Sequence, residues 1–273
     1  MEARCPNSRM QATVPVKLKT RSVPALDRAL SALEMLASSK HGLTLPEISA
    51  ALKVPKSSAH SLLLTLERRG YLHRNVKTNR YLFGLQLFSL ANMALAGIEL
   101  REKAAPFLRA LMGRSRLTAH LAVLDHNEAV LVDKAEPPGI FKLATWLGKR
   151  MELHCTGLGK AMLAHFAESE LEQVIRQRGL PRHNDNTIAS AKRLKDELAK
   201  VRRNGYAIDD EEDEIGYRCI GAAIFDAAGR VLGSVSVSGD VEHVGPELLP
   251  QLAEQVKQCA GSISAIMGFS AQA

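Results

Sequence analysis

Residues 44–70, TLPEISAALKVPKSSAHSLLLTLERRG, carry two helical signals only three residues apart. The first has Thr44 as N-cap and Glu47 three residues on, a capping box, with an apolar stripe at Leu45, Ile48 and Leu52. The second has its stripe at Ala59, Leu62, Leu63 and Leu66 and a stop at Gly70. A connection as short as Lys53-Val54-Pro55 leaves few arrangements open, and the expected one is a helix-turn-helix. A third helix precedes the pair. Ser22 and Pro24 start it, Leu26, Ala29, Leu30, Leu33 and Leu36 form its stripe, and His41-Gly42 is its expected end. After the pair, Tyr71-Leu72 and Tyr81-Leu82 read as two short strands around the polar tip RNVKTNR, which makes a wing.

Charge gives this unit a partner. Residues 1–80 hold 14 Lys and Arg against 5 Asp and Glu, whereas residues 81–273 hold 22 against 24. All of the excess positive charge therefore lies in the first third, as expected of a domain that meets a polyanion. The candidate DNA contacts are Lys56, Ser57, Ser58, His60 and Ser61 on the second helix and Arg74, Lys77 and Arg80 on the wing. The alternative is a three-helix unit that packs on another chain.

LQLFSLANMALAGIELREKAAPFLRALM, residues 85–112, is helix-forming, apolar on more than one face and expected to break near Pro106. It reads either as a linker helix that packs on a second subunit or as a core helix of the larger domain. From residue 117 the period changes. TAHLAVLD and EAVLVDKAE around His126-Asn127 read as a strand pair, GIFKLAT as a third strand, and YAID, YRCIGAAIFD and RVLGSVSVSG as further strands. GKAMLAHFA (159–167), SELEQVIRQRG (169–179) and IASAKRLKDELAKVRRNG (188–205) read as helices, and a final long helix closes the chain. The fold class is α+β with a mostly antiparallel sheet.

HCTGLGKAM, residues 154–162, resists the chemistries it resembles. A P-loop would need glycine at His154 and a hydroxyl at Ala161. Adjacent His154 and Cys155 in an extended segment point to opposite faces, so one does not readily activate the other. No histidine spacing resembles a metal-ligand set, and no metal or cofactor is expected. What remains is a helix start capped by Thr156, where the N–H groups of Gly157 and Leu158 can hold an anion, or else a glycine-rich start to an ordinary helix. Ser236 and Ser238 share one strand face, facing either a ligand or solvent. The run DDEEDE from Asp209 lacks the glycine of a calcium loop and reads by itself as a solvated turn.

Four widely spaced cysteines suggest reduced thiols in a cytoplasm. No apolar run reaches a membrane span, so no membrane is expected. The competing class is an enzyme: a small-molecule hydrolase or reductase with Cys155 or Cys219 as nucleophile.

Taken in order, PKSSAHSLLLTLERRGYL, YLFG, HCTGLGKAMLA and GYAIDDEEDEIGYRCIGAAIFDAAGRVLGSVSVSG resemble the IclR family of transcriptional regulators, over residues 22–269. The resemblance implies a disordered arm (1–21), a winged helix-turn-helix domain (22–84), a linker helix (85–104) and a GAF-like effector domain (105–273). It implies operator DNA and a small-molecule effector as partners, a homodimer or dimer of dimers, and no catalysis. Its effector site maps onto Ile140, Leu143, Gly157, Leu158, Asp209, Cys219, Ser236 and Ser238. The effector class it implies is a carboxylate, sugar acid or aromatic acid. Ser61 and Gln86 stand where many relatives carry basic residues, which removes two candidate phosphate contacts.

Overall fold

The computed structural model describes residues 23–139 and 145–270, in two compact units that divide between Met93 and Ala94. The arm expected over residues 1–21 lies outside the described residues. In the first unit, α1 (Pro24–Ala37), α2 (Leu45–Ala51) and α3 (Lys56–Arg68) pack with the sheet β1 (Leu43–Thr44), β3 (Arg80–Phe83) and β2 (Leu72–Arg74). Its core is Ala32, Leu36, Ile48, Leu63, Leu72 and Tyr81. The capping box of α2 is complete: Glu47 N donates to Thr44 Oγ1, and Thr44 N donates to the Glu47 carboxylate at 2.7 Å. The helix that starts at Pro24 ends at Ala37, earlier than His41-Gly42 suggested. Gly42, at φ +73°, belongs to the turn into β1, where a Cβ would meet Tyr81 O at 2.4 Å.

The junction also differs from expectation. α4 (Leu85–Ala96) and α5 (Glu99–Ser115) are separated at Gly97-Ile98, and α5 runs through Pro106 unbroken. Pro106 lies on an exposed face, so the carbonyl left without its partner can turn to water.

The second unit is built on one antiparallel sheet with the order β6 (Arg150–Met151), β5 (Glu128–Ala135), β4 (Thr118–Asp125), β9 (Val231–Asp240), β8 (Tyr217–Phe225), β7 (Ala207–Asp210). His126 and Asn127, both at positive φ, close the β4–β5 hairpin. The strand expected at GIFKLAT falls mostly on residues 140–144, outside the described residues; the strand observed beside β5 is the short β6. One face of the sheet carries Ala119, Leu121, Ile220, Ala222, Val235 and Val237 against α5 and α9 (Leu249–Ile266). The other face is covered by α6 (Gly157–Leu163), behind which α7 (Glu168–Arg178) and α8 (Ala191–Asn204) complete a second core. Both faces are therefore covered, and α6 is buried along its whole length.

Glycine permits this close approach. A Cβ on Gly221 of β8 would lie 2.4 Å from Gly157 O, and one on Gly159 would lie 2.4 Å from Leu153 Cα. Lys160 is fully buried and pairs with Glu212, itself buried. The acidic run is thus no solvated turn. Asp209 Oδ1 accepts from Glu212 N at 2.8 Å, Glu211 accepts from Gly216 N, and Asp210 pairs with Arg218 at 2.6 Å. Asn184 Nδ2 and Thr187 Oγ1 donate to the carbonyl of Glu212.

This packing sets measurable costs. Lys160→Met is expected to cost about 3–5 kcal/mol, because it leaves Glu212 buried without its partner, while adding Glu212→Leu should recover most of the loss. Urea unfolding of the single and double variants measures both. Gly159→Ala should cost about 1–3 kcal/mol through overlap with the 152–153 backbone. Gly113→Ala, on an exposed face of α5 with open space at its Cβ, should instead gain about 0.5–1 kcal/mol.

Candidate functional site

In the first unit the N-terminus of α3 presents a polar surface. Lys56, Ser57, Ser58, His60 and Ser61 are all exposed. Pro55 is the N-cap and offers no side-chain partner, so the first N–H groups of α3 stay available by position. The Ser61 hydroxyl donates back to Ser57 O at 3.1 Å, which orients it along the helix. On the wing, Asn75 Oδ1 accepts from Lys77 N and Thr78 N and shapes the tip, from which Lys77 projects. Arg74 is held by Asn79 Oδ1 at 2.8 Å and lies over the Tyr81 ring. Arg80 does not stand free: its guanidinium donates to Gly42 O at 2.8 Å and to Glu47 at 3.1 Å. Glu47, held by Thr44 and Arg80, has its carboxyl lowered below the usual value.

In the second unit the sheet face beneath α6 carries two polar rows. Pairing registers place Lys134, His120, Ser236 and Gly221 side by side across β5, β4, β9 and β8. The next row is Thr118, Ser238, Cys219 and Asp209 across β4, β9, β8 and β7. The position of Gly157 relative to this face follows from the 3.3 Å separation between its would-be Cβ and the Cβ of Cys219. The registers thus bring Asp209, Cys219, Ser236 and Ser238 onto one face at the start of α6, beside Gly157 and Leu158. Ile140 and Leu143 lie outside the described residues. Thr156 caps α6, accepting from Gly159 N at 3.0 Å, and the N–H groups of Gly157 and Leu158 precede the first intrahelical donor, Lys160 N.

Three features of this face were not foreseen. His120 is buried, with Nε2 3.1 Å from Thr145 Oγ1 and Nδ1 3.4 Å from Ser238 Oγ. Burial, then Lys134 and Lys149, push its pKa down to about 3, so it is a neutral imidazole. The hydroxyl of Ser236 is fully buried and has no hydrogen-bond partner among the described residues. Ser234, two residues earlier, instead donates to Leu158 O at 3.0 Å and ties β9 to α6. Two cavities lie away from this face. One of about 10 Å³ is bordered by Glu152, His154, Val174 and Pro181. The other, an open cleft of about 420 Å³, is bordered by Leu95, Arg101, Arg109 and Asp133.

Burial raises the Asp209 carboxyl to about 7, against the lowering by Glu212 N–H and Lys160. Between its ordinary value of 3.8 and about 7, the folded protein holds a proton that the unfolded chain has lost. Stability is therefore expected to fall as pH rises through that window and to level off above it. Asp209→Asn should flatten the slope, as read from urea unfolding at stepped pH. An equal slope in the variant would assign the titration elsewhere.

Family comparison joins the two units. Residues 25–76 match the IclR helix-turn-helix domain, and residues 92–265 match the bacterial transcriptional regulator IclR C-terminal domain. The chain is 35% identical to the HTH-type transcriptional regulator BhcR of Paracoccus denitrificans, over 89% of this chain and 86% of that one. The crystal structure of the Thermotoga maritima IclR superposes with a TM-score of 0.74 at 31% identity, covering 89% of this chain and 98% of that one. An IclR homologue from Microbacterium hydrocarbonoxydans, solved in complex with 4-hydroxybenzoate, shares the fold with a TM-score of 0.76 at 23% identity, over 89% and 98% of the two chains. With a helix-turn-helix unit ahead of an α+β unit on an antiparallel sheet, and both matched in order, the chain belongs to the IclR family of DNA-binding, effector-responsive transcriptional regulators.

Proposed function

We propose that α3 reads a half-site in the major groove through Lys56, Ser57, Ser58, His60 and Ser61, with Arg74 and Lys77 on flanking phosphates. The exposed polar start of α3 supports this, because N–H groups and short side chains at a helix N-terminus reach phosphates and base edges together. Arg80 serves the same site as a brace that fixes the wing, through Gly42 and Glu47, and contributes its charge at closer range to the protein than to DNA.

The effector is a small carboxylate that also carries a hydroxyl or oxo group. The single observation that carries this reading is the buried Ser236 hydroxyl, without a hydrogen-bond partner among the described residues, on the same face as the start of α6. A buried hydroxyl without a partner loses stability that a ligand oxygen can restore. Ser236, Ser238 and the N–H groups of Gly157 and Leu158 would hold the carboxylate. Neutral His120 and the high-pKa Asp209 would hold the second polar group, each able to donate or accept. Ile140 and Leu143 are proposed as walls on the resemblance alone.

The protein works without catalysis. Burial raises the thiols of Cys155 and Cys219, which in the metal-free protein disfavours the thiolate that an enzyme of the competing class needs. A homodimer presents two half-site readers and a dimer of dimers presents four. The exposed apolar residues Leu85, Phe88, Leu90 and Met93 of α4 support a subunit contact there. Among the described residues no helix is long and apolar enough to cross a membrane, and the proposed compartment is the cytoplasm, where operator DNA lies.

Lys56→Ala is expected to weaken operator binding about tenfold and to reduce the salt dependence by about one phosphate contact, with effector binding intact. Unchanged affinity would move the docking face away from α3. Ser236→Ala with Ser238→Ala should abolish the thermal shift given by small hydroxy and oxo acids while leaving DNA affinity unchanged. A normal shift in that double variant would remove β9 from the site.

A further inference from the structure

We propose that Glu152, Cys155 and His183, with His154 beside them, form a binding site for a divalent transition metal of the zinc class. The cluster lies on the turn that leads into α6 and on the loop after α7. The Glu152 carboxylate, the Cys155 thiol and an imidazole nitrogen of His183 offer ligand atoms within 4.8 Å of one another. Two ligands about 2.0–2.3 Å from a tetrahedral zinc ion sit roughly 3.3–3.8 Å apart, so small side-chain shifts, inward for the wider pairs and outward for the closest, complete the set. Around Glu152 Oε2, His183 Nε2 lies at 2.9 Å, His154 Nδ1 at 3.6 Å and Cys155 Sγ at 3.9 Å.

The donors are a mixed set of oxygen, nitrogen and sulfur, which suits zinc or a similar ion and not calcium or magnesium. His154 supplies an independent sign. Its Nε2 lies 3.0 Å from Pro181 O, which can only accept, so the proton sits on Nε2. The Nδ1 lone pair then faces the Glu152 carboxylate, an unfavourable meeting of two acceptors that a cation between them would relieve. An imidazole whose far nitrogen donates to a backbone carbonyl is also the usual support of a metal ligand. The turn is held ready by Thr156 Oγ1, which donates to Glu152 O at 2.7 Å. Glu152 and His183 are part-exposed, giving the ion a way in, while Cys155 is buried behind them.

Binding replaces the thiol S–H bond with S–metal, and the proton leaves to solvent. His183 keeps its single proton by moving it to Nδ1. One carboxylate and one thiolate neutralise the dication, which suits a half-buried site. The ion would tie the start of α6 to the loop whose Asn184 and Thr187 hold the acidic run.

The test is titration of the chelator-treated full chain with cobalt(II), read by absorption, followed by displacement with zinc(II). Expected are one equivalent bound, a thiolate-to-cobalt charge-transfer band, about one proton released per metal at alkaline pH, and loss of the band in Cys155→Ser. His183→Ala, at an exposed position that should not disturb folding, is expected to lower metal affinity at least 10-fold. The proposal is overturned if wild-type protein binds no cobalt at micromolar concentration, or binds it without the charge-transfer band. Equal affinity in wild type and His183→Ala would overturn it too.

Discussion

The effector-bearing unit depends on a charge placed where charge is costly. Lys160 is in the centre of a helix buried along its length, and its ammonium is matched by Glu212 from a loop 52 residues away. Removing two ions from water costs several kcal/mol each unless geometry and surrounding hydrogen bonds compensate. Here the compensation comes from a chain of contacts. Asp209 holds the Glu212 N–H, Asn184 and Thr187 hold the Glu212 carbonyl, and Asp210 holds Arg218. The pair therefore fixes β7, the acidic run and the start of α6 relative to one another. Those are the same elements that bring Asp209 and Gly157 to the polar face.

The glycines work with that pair. Gly157 and Gly221 allow helix backbone to touch strand backbone, so the α6 start sits near the sheet and its side-chain hydroxyls. A larger residue at either place would lift the helix off Ser236 and Cys219. Close approach and buried charge are thus two halves of one device: the first brings the opening N–H groups of α6 to the sheet, the second keeps them there.

Much of this was legible because it is local. The capping box at Thr44 and Glu47, the wing turn, the His126-Asn127 hairpin and the serine–valine alternation of β9 are each decided by neighbours a few residues apart. The illegible remainder depends on distant partners. The acidic run looks solvated until Lys160 is known to face it, and Arg80 looks like a free cation until Glu47, 33 residues earlier, is placed beside it. Pro106 misled because its effect depends on exposure, which the sequence does not state. His120 left a faint signal: it shares a strand face with Thr118 and Ala122, opposite the apolar Ala119 and Leu121. Glu152 and His183 left none, being separated by 31 residues and joined only by the fold.

The brace at Arg80 has a consequence for how such a reader can diversify. Glu47 closes the cap of α2 and also grips Arg80 at the root of the hairpin, so scaffold helix and hairpin pitch move as one rigid hinge plate. The side chains from Val76 to Thr78, at the exposed tip, take no part in that brace. In the proposed docking mode their identity is free to drift, while the angle of the hairpin against the rest of the unit is inherited unchanged.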